Sequence, residues 1–80
     1  MLEKGTVVMV RAGKEKGRAM VVVGYEKDYP LLCDGKHRPV DRPKKKNPRH
    51  IAVTSRVLDA GSYSRNKAIR KELRPLNETI

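Results

Sequence analysis

The chain has 80 residues, of which 19 are Lys or Arg and 9 are Asp or Glu, so its formal charge at neutral pH is +10. At this size a single domain buries only about 60% of the surface its unfolded chain exposes, which leaves a thin core and little room for an enclosed active site. One cysteine rules out an internal disulfide, no apolar run approaches the roughly 20 residues a spanning helix needs, and nothing at the N-terminus resembles the apolar core of a signal peptide; the expectation is a soluble, cytoplasmic protein.

Taken in chain order, Thr6 to Val10 reads Thr-Val-Val-Met-Val and Arg18 to Tyr25 reads Arg-Ala-Met-Val-Val-Val-Gly-Tyr, two β-branched runs of strand length. The segment between them carries Gly13 and Gly17, a hairpin signal, and predicts strands near 5–11 and 18–25. Both runs are apolar at consecutive positions as well as alternate ones. One sheet face therefore lines a core while the other is partly covered, and the C-terminal helix is the expected cover.

Tyr29 to Cys33 predicts a third strand, with Cys33 as a small buried hydrophobe. Asp34-Gly35 predicts a two-residue turn into a fourth strand over 36–40, which Pro39 confines to a sheet edge. The run from Asp41 to Arg49 holds two prolines and no other apolar side chain, so a loop is expected before strand character returns over His50 to Thr54.

Ser55 to Ala60 predicts one helical turn ended by Gly61, then a helix capped by Ser62 or Ser64 that Pro75 stops near Arg74. On that helix Ile69, Leu73 and Leu76 share a side, and Lys67, Arg70, Lys71 and Arg74 follow i, i+3, i+4, i+7 spacing on the other. Five short strands and a terminal helix point to a mainly β fold, a small SH3-like five-stranded barrel. Residues 1–54, with the basic loop 41–49, form the barrel, and residues 55–80 form a turn and helix docked on it, one domain overall.

The stretch Gly5-Thr-Val-Val-Met-Val-Arg-Ala-Gly-Lys-Glu-Lys-Gly-Arg-Ala-Met-Val-Val-Val resembles a KOW motif, with Gly17 at the position of that family's signature glycine. The resemblance implies a strand, a basic glycine-containing loop and a second strand within an SH3-like barrel. Lys44-Lys-Lys-Asn-Pro-Arg-His-Ile looks like the basic segment before the last barrel strand of KOW-containing large-subunit ribosomal proteins. The whole chain is similar to short, stand-alone bacterial KOW proteins of that kind. KOW domains of transcription-elongation factors contact protein as well as nucleic acid, so the motif alone does not fix the ligand.

The charge is uneven: residues 1–35 carry six basic and five acidic side chains, and residues 36–80 carry thirteen and four. Arg42, Lys44, Lys45, Lys46 and Arg49 have no acid among them. Such a cluster repels itself in water and releases condensed counterions beside a phosphate backbone. The expected RNA contacts are Lys14, Lys16 and Arg18 at the hairpin tip, Lys36, Arg38, Arg42, Lys44, Lys45, Lys46, Asn47, Arg49 and His50, with Lys67, Arg70, Lys71 and Arg74 as a secondary set. Three tyrosines, Tyr25, Tyr29 and Tyr63, are too few for a stacking platform that reads single strands, which favours folded or double-stranded RNA held by shape and phosphates.

His37 and His50 with one distant cysteine lack the ligand count of a metal site, and no nucleophile–base arrangement or paired carboxylate is recognisable. The expectation is a monomeric non-enzyme without cofactor that binds structured RNA, ribosomal RNA foremost, as a ribosome-associated or ribosome-assembly factor. The alternative is a protein-interaction adaptor of the transcription or translation machinery. Non-specific binding to duplex DNA is permitted by charge alone, with no recognition helix to read bases.

Overall fold

In the computed structural model, residues 2–77 are described; residue 1 and residues 78–80, the outer ends of the expected barrel and helix ranges, lie outside the described residues. The valine-rich runs form β1 (Thr6–Val10) and β2 (Ala19–Glu26), antiparallel with Val7 opposite Val21 and Val8 opposite Met20. Next come β3 (Tyr29–Cys33), a two-residue β4 (Lys44–Lys45), a 3₁₀ turn over Pro48–His50, β5 (Ile51–Val57), α1 (Ala60–Tyr63) and α2 (Asn66–Asn77). The strands make one antiparallel sheet in the order β4-β3-β2-β1-β5, so the fold is mainly β with a C-terminal helix.

Successive strand residues point to opposite faces, and both faces of the central strands are buried, which is why their sequence is apolar without alternation. On one face Val7, Val21 and Cys33 pack with Leu58 and with Ile69 and Leu73 of α2. On the other, Val8, Val10, Met20, Val22, Leu32 and Ile51 make a second cluster, against which Leu2 and Tyr25 pack. The Tyr25 hydroxyl accepts from the Leu2 N–H at 2.6 Å and donates to the Leu2 carbonyl at 2.9 Å. The expected helical cover is found where the sequence put it.

The edge strands β4 and β5 are joined by only residues 46–50, part of them in the 3₁₀ turn. A flat sheet would hold those edges about 19 Å apart, four spacings of ~4.8 Å. The link reaches about 16 Å at best, three extended steps of ~3.4 Å and three of ~2.0 Å. The sheet must therefore curl. Register shifts between Thr6 and Val8 and between Val22 and Gly24 supply local bends. At the first, the Val7 carbonyl is met by the Thr54 hydroxyl at 2.6 Å.

Four expectations are corrected. Residues 36–40 form no strand: the Asp34 carboxylate accepts the N–H groups of Lys36 and Arg38, and this Asx-type turn takes the place of a ladder. The short edge strand lies instead at Lys44–Lys45, inside the expected loop. Strand β5 runs on to Val57, so Ser55 to Ala60 holds no separate helical turn; α1 is capped by Asp59, whose carboxylate accepts from the Ser62 N–H, and Gly61 sits inside it. Pro75 lies inside α2 (Asn66–Asn77), and Leu76 is 40% exposed rather than packed. Placed in the last turn, Pro75 forfeits one helical hydrogen bond near an end where the remaining carbonyls are already unmatched.

Candidate nucleic-acid interface

Two acids organise the basic end of the molecule, and both point inward. Glu15, at the hairpin tip, accepts from Nε and an Nη of Arg38 at 3.2 and 3.1 Å and stands 4.0 Å from Nζ of Lys46. The tip is thereby tied to the 38–46 segment. Asp34 is almost wholly buried and accepts the Lys36 and Arg38 N–H groups at 2.9 and 2.8 Å, while its other oxygen meets Arg18 at 3.1 Å and lies 3.6 Å from Nδ1 of His37. Burial pushes the Asp34 carboxyl up, but the two backbone donors and the Arg18 guanidinium outweigh it and hold the carboxyl below its ordinary range.

The neighbouring Cys33 thiol is pushed up to about 11 by burial and by the negative charge of Asp34 and Asp41. It is buried and donates to the Pro39 carbonyl at 3.4 Å. Such a thiol is a packing group rather than a nucleophile.

Gly13 and Gly17 both adopt positive φ, +90° and +88°, as a tight tip requires. Between them, Lys14 and Lys16 project into solvent with no ion pair among the described residues. Lys36, Arg42, Lys44 and Arg49 likewise have no side-chain partner among the described residues. The N–H of Arg11 donates to the His50 carbonyl at 2.7 Å, which sets the 3₁₀ turn, with exposed Arg49 and His50, beside the root of the hairpin.

The structure divides the expected site residues. Lys46 is buried beside Gly13 and faces Glu15, so it braces the fold and is not a surface contact; nothing in a run of three lysines marks which member turns in. Arg18 and Arg38 are engaged by Asp34 and Glu15. Lys45 pairs with Glu26 at 3.0 Å and lies 5.7 Å from the Tyr29 ring centroid. Asn47 caps the 3₁₀ turn by accepting from the Arg49 N–H at 2.9 Å.

The basic row on α2 is split as well. Arg70 and Arg74 border a trough with Arg18, Asp34, Lys36 and Asn77, whereas Lys67 and Lys71 border a separate hollow beside α1 with Ser62, Arg65 and Glu72. Sequence reasoning passed over Glu15, Asn66 and Asn77, which hold these elements in place; Asp34 was read only as a turn former. Asp34 directly before Gly35 is the local signal for its capping part, since Asp side chains bond the amides of the turn that follows them.

Among the described residues no group of three or more His, Cys, Asp or Glu is placed to hold a metal ion, and no helix is long and apolar enough to cross a membrane. No protein-family model matches the chain, and no curated protein matches it significantly.

Proposed function

We propose that the chain is an RNA-binding module that holds structured RNA by its phosphates through the surface formed by the hairpin tip and residues 36–49. The observation that carries this reading is the arrangement of charge. Glu15 and Asp34 are turned inward and saturated by Arg18, Arg38 and Lys46, and Lys14, Lys16, Lys36, Arg42, Lys44 and Arg49 are left without anionic partners among the described residues. Unneutralised cations gathered on a rigid frame match a polyanion, and counterion release supplies the driving force.

The curl forced by the short 46–50 link and the positive φ values of Gly13 and Gly17 support an SH3-like barrel of KOW type. That reading in turn favours ribosomal RNA, bound in the cytoplasm by a ribosome-associated or ribosome-assembly factor without catalytic activity. Crosslinking in cells followed by sequencing of bound RNA tests it. Enrichment of ribosomal RNA is expected, and an absence of crosslinked RNA with ribonuclease-resistant protein partners would overturn it.

One feature favours an adaptor role: Val53 and Val57 on the edge strand β5 are 54% and 47% exposed. An unpaired edge with apolar side chains can accept a strand from a partner protein. Under that reading the partner survives ribonuclease and is lost when both valines become lysine.

A further inference from the structure

The helix face was expected to be at most a secondary contact, but one stretch of it forms a wall of a built feature. Between the 34–40 loop and α2 runs an open trough of about 370 Å³, lined by Arg18, Asp34, Lys36, Arg70, Arg74 and Asn77. Among the described residues that line it four of the six are cationic, and the one acid, Asp34, has its carboxylate buried under Arg18 and two loop amides.

Both walls are fixed at several points. The loop is anchored at its start by Asp34 and at its end by Asn66, whose Oδ1 accepts from the Val40 N–H at 2.8 Å. Directly after Asp34 the Gly35 carbonyl accepts from an Nη of Arg70 at 2.8 Å. The approach there is so close that a Cβ on Gly35 would stand 2.4 Å from the Asn66 carbonyl oxygen and 3.1 Å from Cγ of Arg70. At the far end Asn77 ties α2 to Ala19 through two hydrogen bonds. A cationic trough with pinned walls loses little entropy when a ligand enters.

Its donors are available. Among the described residues Arg70 uses one N–H on Gly35 and the rest of its guanidinium fork has no partner, and Lys36 is exposed with no side-chain partner. Beneath them Nε of Arg18 is enclosed with no hydrogen-bond partner among the described residues and an Nη is held on Asp34, so Arg18 contributes fixed positive charge under the trough, while the fork of Arg70 faces it.

We propose that this trough is a preformed seat for an RNA phosphate, gripped by Lys36 and Arg70 with Arg18 beneath them. The inference rests on the RNA-binding reading and deepens it: RNA passes from the hairpin tip across the 34–40 loop to α2. Because the trough is open rather than closed, the seat takes an internal phosphodiester of a continuous strand.

The test is a two-dimensional amide and arginine Nε–H nuclear magnetic resonance titration of the full chain. The probes are an RNA hairpin with a 5′-hydroxyl, the same hairpin with a 5′-phosphate, and inorganic phosphate, all at one ionic strength. Both RNAs are expected to shift Gly35, Lys36, Arg70 and the Arg18 Nε–H alike. Lys36→Ala and Arg70→Ala are each expected to weaken binding about three- to tenfold, with the fold judged intact from the remaining peaks. Lys36 is exposed and its side chain has no hydrogen-bond or ion-pair partner among the described residues, so its variant reports on binding even where Arg70→Ala loosens the loop.

If RNA binds and responds to Lys14→Ala while the trough resonances stay still, the seat is overturned and the RNA-binding reading stands. Shifts from inorganic phosphate or the 5′-phosphorylated hairpin alone would overturn the internal-phosphate assignment. If neither RNA binds, the reading and the seat fall together.

Discussion

Asn77 closes the end of α2 onto the first residue of β2: its side-chain oxygen accepts from the Ala19 N–H at 2.7 Å and its side-chain nitrogen donates to the Ala19 carbonyl at 3.0 Å. One amide side chain thus imitates a neighbouring strand and fixes the helix to the sheet beyond what Ile69 and Leu73 bury. Asn77→Ala leaves both backbone groups of buried Ala19 without these partners. The expected cost is about 1–3 kcal/mol in urea unfolding. A loss below about 0.5 kcal/mol would show that water replaces the amide.

Glu15 serves two cations, and this makes the pair asymmetric. Removing Lys46 leaves Glu15 bonded to Arg38, whereas removing Glu15 leaves a buried ammonium without an anion. Glu15→Gln is therefore expected to destabilise by about 1–3 kcal/mol, less than a fully enclosed pair because about a tenth of each of the Lys46 and Glu15 side chains still reaches solvent. Lys46→Met should cost less than Glu15→Gln, and Lys45→Ala, on the exposed rim, about 0.5 kcal/mol or less. Chemical denaturation of the three variants side by side checks the order.

Acid should unfold the protein through Asp34. Its carboxyl ionises at lower pH in the folded chain than its ordinary 3.8, so its stabilising contribution is whole above about 3.8 and is lost as pH falls through the folded value. Asp34→Asn removes that part of the acid dependence and also weakens the 34–40 turn at neutral pH. Melting temperature measured from pH 6 down to pH 2 reads both effects. An unchanged acid limb in the variant would contradict the assignment.

Alkali acts through Cys33 in the opposite sense. The folded thiol ionises at about 11 against an ordinary 9.0, so stability is unaffected below 9 and falls as pH rises from about 9 toward 11. At neutral pH the native thiol should resist iodoacetamide and react readily only after unfolding. Cys33→Ala or Cys33→Val should flatten the alkaline fall.

The fold was legible where local chemistry and burial agree. The valine-rich runs, the two glycines of the tip and the Ile69–Leu73 stripe all specify elements that tertiary packing then keeps. The edge strand was misplaced because Asp34 and Pro39 look alike in a hairpin and in a capped loop, and only the three-dimensional meeting of Asp34 with Arg18 decides between them. Pro75 reads as a stop because a proline breaks an interior turn, yet it lies inside α2 two residues before Asn77, whose side chain bonds Ala19.

The basic residues were easy to find and hard to sort. Lys44, Lys45 and Lys46 are identical in sequence terms, but one is half-buried, one pairs with Glu26 and one is buried against Glu15. Pairing across 23 to 31 positions, as Glu15 makes with Arg38 and Lys46, has no local signature. The trough was invisible for the same reason, since its walls come from Arg18 just before β2, the 34–40 loop and α2.

The most direct measurement of the central claim is the salt dependence of affinity for a structured RNA, for the natural chain and for a Lys14→Ala/Lys16→Ala variant, whose replaced side chains are exposed with no hydrogen bond or ion pair among the described residues. With about five phosphates neutralised, the logarithm of the association constant should fall against the logarithm of salt with a slope of roughly −4, and the variant's slope should be shallower by about 2. An affinity indifferent to salt between about 50 and 200 mM, or a slope the variant leaves unchanged, would contradict binding through phosphates at this surface.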